Sequence, residues 1–309
     1  MQTTQIILDQ MNLVVLNISL YQGRKAIKKA DLALTGIDVG KLPPGTLATL
    51  GSKRIISPKA LRIFSKLRRS ARKLCLYNGV RFGGCGYAIP RERIEALSSE
   101  LKKVKDEFET AKANFLSVYQ EEVEKWVAEN PPEWAQIIRG AIDSPSYIDK
   151  AISFNYAAFE ARPPAEVMDN GLDEEVNSLY GQMCHEVRVA ARRAYDNSFV
   201  GKKEISQKAL RPIKTIRAKL VGLLFLDPSI GETIQAIDDT LAKIPTEGPI
   251  KGTDLNMLAG LLGRQLANMG RVVQQRPESE EETCDETPDG KEADVSEHTG
   301  KVAPITWDF

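Results

Sequence analysis

The chain has 309 residues, with 42 basic and 42 acidic side chains, 42% hydrophobic residues and only two histidines. This composition excludes a collagen-like repeat, a disulfide-framed secreted fold and a wholly disordered chain. No apolar run approaches the roughly 20 residues that cross a bilayer, and the amino terminus lacks the basic region of a secretory signal. We therefore expect a soluble cytoplasmic protein that does not enter a membrane.

Several stretches alternate apolar and polar residues with a period of two, which predicts the strands of one small antiparallel sheet. The first stretch covers residues 14–20 and the last covers 152–158. Between them, residues 80–82 and 87–89 flank the glycine-rich segment 83–86, as the two strands of a hairpin flank its turn.

Longer segments repeat their apolar residues every three to four positions, which predicts helices. These segments are 58–76, 91–129, 173–197, 211–225, 228–244 and 254–273. Strands and helices together predict an α+β protein that is mainly α with a small antiparallel β-sheet.

The helix predicted over 58–76 is strongly basic. The sequence has no acidic residue between Asp38 and Glu92. The basic side chains form a stripe along one helix face, with two arginines at its edge: Lys59, Arg62, Lys66, Arg69 and Lys73 in the stripe, and Arg68 and Arg72 beside it. Such a stripe suits the phosphates of DNA or RNA, or an acidic protein. The alternative is a solvated helix face, which the chain's own acidic tail could meet.

The helix predicted over 91–129 carries a strict heptad seam. The seam consists of Ile94, Leu97, Leu101, Val104, Phe108, Ala111, Phe115 and Val118. It predicts a long coiled-coil arm of roughly 57 Å that projects from a helical bundle. A matching stripe favours an antiparallel pairing within the chain: Val176, Leu179, Met183, Val187, Ala190 and Ala194. A coil between two copies in a homo-oligomer, and a long helix packed on a bundle, are the alternatives.

The acidic residues concentrate at the carboxyl end. Residues 277–309 contain eleven acids and two lysines, a net charge of −9, so residues 1–276 carry +9. This composition predicts a disordered tail. Its last residues are apolar again, so we expect a docking peptide in which Trp307 and Phe309 fill pockets while Asp308 meets a basic residue of a partner. The alternative is a tail end that binds nothing.

These patterns divide the chain into four parts. We expect a small sheet with the basic helix over 1–90, and the helical arm with a returning strand and helix over 91–200. The C-terminal helices follow over 201–274, and the acidic tail with its aromatic tip covers 275–309.

Templates for catalysis and metal binding fail. Residues 36–41 resemble a phosphate-binding loop but are one residue short, with Leu42 in place of the required Ser or Thr. Cys184 and His185 are neighbours on a helix and therefore diverge, which predicts a core thiol and a surface histidine. The four cysteines form no CxxC pair. We therefore expect a protein that is not an enzyme and holds no metal and no cofactor.

Two segments carry a resemblance to a known family. Residues 17–26 (NISLYQGRKA) and 80–90 (VRFGGCGYAIP), the latter leading into the heptad helix, resemble a bacterial family with no agreed activity. Its members are carried by phages, plasmids and integrative conjugative elements. They are often encoded beside a MoxR-type AAA+ ATPase and a von Willebrand factor A protein, near recombination genes. The resemblance covers about residues 10–230 and implies a partner rather than a catalytic residue.

Our leading hypothesis is a non-enzymatic adaptor of a mobile genetic element that works with a AAA+ ATPase and a von Willebrand A partner. The competing hypothesis is a protein that binds DNA or RNA directly through the basic stripe, without reading sequence, in recombination, replication or element maintenance. A third class, a phage structural coiled-coil protein, explains the arm but not the basic helix.

Overall fold

The computed structural model describes residues 2–84, 86–162 and 171–270. The described residues belong to one compact unit. The predicted acidic tail over 275–309 and its tip, Trp307, Asp308 and Phe309, lie outside the described residues.

Helices dominate the described part of the chain. The α-helices are α1 (Gln2–Asp9), α2 (Lys29–Ala33), α3 (Pro58–Asn78), α4 (Ile94–Glu129), α5 (Ala135–Arg139), α6 (Pro145–Ala151), α7 (Leu172–Ser198), α8 (Arg211–Gly222), α9 (Ser229–Ala242) and α10 (Gly252–Gly260). The strands are β1 (Met11–Ser19), β2 (Arg24–Ala26), β3 (Ser52–Arg54), β4 (Val80–Phe82), β5 (Gly86–Pro90), β6 (Ser153–Phe159), β7 (Glu204–Ile205) and β8 (Ile250–Lys251). The predicted class, mainly helical with a small antiparallel sheet, is confirmed.

The main sheet has four strands in the order β4-β5-β1-β6, and its pairs are antiparallel. The predicted hairpin is confirmed, because β4 pairs with β5 so that Val80 faces Ala88. Its turn begins at Gly83, whose φ of +56° lies in the left-handed region that glycine adopts without a steric penalty. The two smaller ribbons, β2 with β3 and β7 with β8, are not among the predicted strands.

The sheet separates two hydrophobic cores. Because side chains alternate along a strand, Leu13 enters one core and Val14 enters the other. The first core lies against α7, α8, α9 and α10, and the second lies against α3, α4 and α6. Helices therefore cover both faces of β1 in its first half, whereas Asn17 and Ser19 in its second half are exposed.

Helix α4 packs within the second core, and the described residues show no projecting arm. Its side chains Phe108 and Phe115 form edge contacts with Phe64 of α3, at ring-centre distances of 5.2 and 5.7 Å. The expected pairing with the stripe of α7 is wrong, since that stripe belongs to the first core on the other side of the sheet. Apolar spacing shows that a helix has a packed face, but it does not identify the partner.

The buried face of α4 also departs from the heptad seam. Val118, the last seam position, is 38% exposed, and burial continues instead through Tyr119, Val123 and Val127. A straight α-helix has 3.6 residues per turn, so a strict period of 3.5 drifts away from a fixed neighbour. On α7 the stripe shifts in the same way, because Ala190 is exposed and Ala191 is buried.

A polar cluster anchors the segment before α3. The Tyr21 hydroxyl donates to the Asp143 carboxylate at 2.8 Å, and Lys25 pairs with the same carboxylate at 2.6 Å. Burial, together with the neighbouring carboxylate, raises the pKa of Tyr21. The Ile55 amide donates to the Gly23 carbonyl at 2.9 Å, which holds the residues that lead into α3.

We predict that Phe108→Ala and Val118→Ala differ sharply in stability, although both residues are positions of the heptad seam. Phe108 is fully buried, so its truncation should lower the free energy of unfolding by about 3–5 kcal/mol. Val118→Ala should change it by less than about 1 kcal/mol. Urea unfolding followed by circular dichroism measures both values. Equal destabilisation at the two positions would instead support a coiled-coil seam.

Candidate polyanion-binding surface

Helix α3 is held at its start and along one face. The Ser57 hydroxyl accepts a hydrogen bond from the Lys59 amide at 3.4 Å, and Pro58 occupies the first turn, as the sequence predicts. The inner face is buried in the second core through Phe64, Leu67, Ala71 and Cys75. These contacts leave the opposite face of the helix open to solvent.

The open face of α3 carries most of the basic residues that the sequence analysis selects. Its exposed cations, which we call the α3 basic face, are Lys59, Arg62, Lys66, Arg69, Arg72 and Lys73. The helix contains no acidic residue. From Lys59 to Lys73 the cations extend over about 21 Å at about 1.5 Å per residue. This length is sufficient for contacts with several phosphates of one nucleic-acid strand.

In the described structure, the absence of ion pairs distinguishes the α3 basic face from Lys53 and Arg91 of the same acid-poor region. Lys53 pairs with Asp31 at 2.6 Å, and Arg91 pairs with Glu160 at 2.9 Å. Within the described residues, no cation of the α3 basic face lies within ion-pair distance of a carboxylate. The positive charge of this surface is therefore not neutralised by the described fold.

Arg68 lies between the buried and exposed faces. Its Nε atom is buried and has no hydrogen-bond partner in the described structure. Burial lowers the pKa of Arg68, and the adjacent positive charges of Arg72 and Arg69 lower it further. A guanidinium in this position is partly desolvated and surrounded by like charge, so an anion at its exposed edge would stabilise it.

Two apolar side chains of α3 are also exposed. Ile63 is 39% exposed and Tyr77 is 42% exposed. Helix geometry places both residues on the same side of α3 as Lys59. Apolar side chains therefore border the α3 basic face along one edge. Sequence periodicity places these residues outside the inner face but does not show how far they reach into solvent.

A buried ion pair fixes the carboxyl end of α3, and the sequence analysis does not find it. The Lys219 ammonium of α8 pairs with the Glu186 carboxylate of α7 and donates to the Leu76 carbonyl of α3 at 2.9 Å. The other carboxylate oxygen of Glu186 accepts from the Arg81 amide at 3.2 Å. Burial lowers the pKa of Lys219, whereas its carboxylate partner raises it. Here a cation is fully partnered, in contrast to those of the α3 basic face.

The residues considered for catalysis occupy structural positions. Cys184 is buried, which confirms the predicted core thiol, and the adjacent His185 is exposed. Burial raises the pKa of Cys184, and it raises that of Cys75 to about 12. Both thiols are therefore protonated at neutral pH and poorly suited to nucleophilic attack.

The segment that resembles a phosphate-binding loop has a different local structure. Val39–Lys41 forms one 3-10 turn, and the Asp38 carboxylate accepts a hydrogen bond from the Gly40 amide at 3.0 Å. The Gly40 N–H group therefore already donates to a carboxylate and is not available to bind a phosphate. Among the described residues, no group of three or more His, Cys, Asp or Glu side chains could hold a metal ion. No described helix is long and apolar enough to span a membrane.

The chain matches one protein family over most of its length. The family is described as "Protein of unknown function (DUF3150)", and the match covers residues 8–266. No match is found among curated proteins or among solved structures.

We predict that Arg68→Met stabilises the protein by about 1 kcal/mol, because it removes a partly buried donor without a partner and reduces repulsion on α3. Met and Arg have similar helix propensities, so the helix itself should be little affected. Arg62→Met, at an exposed site of the same helix, is the control and should change stability by less than about 0.5 kcal/mol. Urea unfolding compares the variants. A clear decrease in stability for Arg68→Met would show that a partner stabilises the guanidinium.

Proposed function

The chain belongs to the DUF3150 family, and from the α3 basic face we propose that it binds nucleic acid through phosphate contacts without reading its sequence. One observation carries this proposal. Six exposed cations occupy one face of a firmly packed helix, and within the described residues they have no carboxylate partner. Concentrated unpaired positive charge is the electrostatic footprint of a nucleic-acid-binding surface.

The residue types of the α3 basic face are suited to phosphates. Arg62, Arg69 and Arg72 present guanidinium groups that can donate two parallel hydrogen bonds to a phosphate. Lys66 and Lys73 add single positive charges to the same face of the helix. Each cation that neutralises a phosphate releases condensed counterions, so binding should weaken steeply as salt rises.

Backbone contacts are favoured over base reading. Base stacking requires several exposed aromatic side chains. On α3, Tyr77 is exposed, but Phe64 is buried against Phe108 and Phe115, so one aromatic residue of this helix is available for stacking. The proposal assigns no catalytic residue, no metal and no cofactor to the chain. The process that we propose, recombination, replication or maintenance of a mobile genetic element in the cytoplasm, is an expectation that rests on the family resemblance alone.

The second candidate function is an adaptor for a AAA+ ATPase and a von Willebrand A protein. It is favoured by the exposed Ile63 and Tyr77, because an interface that combines arginines with apolar and aromatic side chains is typical of protein recognition. The tip formed by Trp307, Asp308 and Phe309 would add a second contact in this function.

We predict that charge reversal of the α3 basic face abolishes nucleic-acid binding. The variant combines Arg62→Glu, Lys66→Glu, Arg69→Glu and Lys73→Glu. Wild-type protein should bind short DNA and RNA probes of arbitrary sequence, with an affinity that falls steeply with salt. The variant should not bind them, or should bind with a salt slope smaller by about 0.9 for each duplex phosphate that it no longer neutralises. Fluorescence anisotropy over a salt series measures both quantities.

The control for this experiment has the same net charge as the variant. It reverses four exposed cations that have no ion-pair partner in the described structure, namely Lys102, Lys150, Lys243 and Arg264. Unchanged binding in the α3 variant would exclude the α3 basic face. Equally weakened binding in variant and control would show that net charge, rather than this surface, determines binding.

The adaptor function predicts a different result from the apolar margin of α3. Ile63→Ser combined with Tyr77→Ser should reduce recovery of an ATPase or von Willebrand A protein when the chain is purified, with nuclease, from its native genetic neighbourhood. Deletion of residues 304–309 should act in the same direction. Leu47→Ser combined with Leu224→Ser, at 77% and 47% exposed positions, is the control. Equal recovery from all four proteins, measured by mass spectrometry, would contradict the adaptor function.

A further inference from the structure

A second set of unpaired cations lies where α7 leads into α8. These side chains are exposed, and none forms an ion pair within the described residues: Arg192, Arg193, Lys202, Lys203, Lys208, Arg211 and Lys214. We call this set the α7–α8 basic surface. The next cation along α8, Arg217, pairs with Asp238, with 2.6 Å between Nη2 and Oδ2. One cation of α8 is therefore paired with a carboxylate, whereas within the described structure the cations of the α7–α8 basic surface are not.

The local sequence has the same bias as the region around α3. Residues 189–216 contain seven basic and two acidic residues, Asp196 and Glu204. Glu204 faces Lys251 across the β7–β8 pair, and opposite charges on paired strands offset each other. The net charge of the surface therefore remains strongly positive.

The surface includes a concave site. A shallow, open depression of about 400 Å³ is lined by Lys202 and Lys208, with Ser198 and Ser206 also at its edge. Ammonium and hydroxyl groups are the donors that commonly contact phosphate oxygens. Glu204 also lines this depression. Its negative charge would repel phosphate oxygens that approach close to it.

We propose that the α7–α8 basic surface is a second contact site for the phosphates of nucleic acid, separate from the α3 basic face. The class of ligand rests on the function proposed above, but the cations are a different set. The surface is suited to the backbone rather than to bases, because Tyr195 stacks parallel on Phe199 with 6.3 Å between ring centres and faces the protein.

The two basic surfaces belong to one compact unit. Lys219 of α8 donates to Leu76, two residues before the end of α3. Lys214 precedes Lys219 by five residues, or about 7.5 Å along the helix axis. The hydrogen bond between Lys219 and Leu76 therefore ties α8, which carries Lys214, directly to the end of α3.

The test is charge reversal of three lysines of this surface, compared with a control that has the same net charge. The test variant combines Lys202→Glu, Lys208→Glu and Lys214→Glu. The control combines Lys102→Glu, Lys150→Glu and Lys243→Glu. With a short DNA duplex as the probe, the test variant should bind about tenfold more weakly than the control or worse. Its salt slope should be smaller by about 0.9 for each phosphate that is no longer neutralised. Circular dichroism confirms that each variant is folded.

The outcomes separate this inference from the proposed function. Binding by the test variant equal to the control, while the α3 variant does not bind, overturns the second site alone. Weakened binding by the test variant, with unchanged binding by the α3 variant, supports the α7–α8 basic surface as a binding site and excludes the α3 basic face. Absence of binding by the wild-type protein overturns both.

Discussion

Strand β1 is the element on which both cores depend, because its alternate side chains enter opposite layers of the molecule. Leu13 packs with α7 and the helices that follow it, and Val14 packs with α3 and α4. A strand that sends side chains into two cores cannot slip by one residue without exchanging the side chains that enter them. The register of β1 with β5 and β6 therefore fixes which strand side chains enter the core on which the inner face of α3 packs.

The cations of the α3 basic face contribute nothing that this packing requires. The inner residues Phe64, Leu67 and Ala71 would be buried equally well if the outer positions carried uncharged helix formers. A run of like charges raises the free energy of the folded helix through mutual repulsion. By contrast, Lys219 is buried with a carboxylate and a carbonyl as partners, as expected for a cation that connects helices. In the proposed function, the phosphates of a nucleic acid would offset this repulsion.

Sequence periodicity identifies β1, the β4–β5 hairpin, α3 and α4 because each has a clear apolar repeat. It does not show that α4 and α7 lie on opposite sides of a sheet, since both stripes are compatible with many partners. The Glu186–Lys219 pair joins residues 33 positions apart that are unremarkable within their own helices. The α3 basic face is visible as a segment without acids, and the same count over residues 189–216 would have indicated the α7–α8 basic surface.

The packing between the two basic surfaces determines what they could accomplish together. The α3 basic face rests on the second core and the α7–α8 basic surface on the first, and the same sheet supports both cores. Their separation is therefore set by packed structure and not by a linker. Once one surface holds a nucleic acid, the other meets it at a raised effective concentration, provided that the path between them matches the backbone. Two surfaces of modest affinity can in this way produce tight binding that remains sensitive to salt.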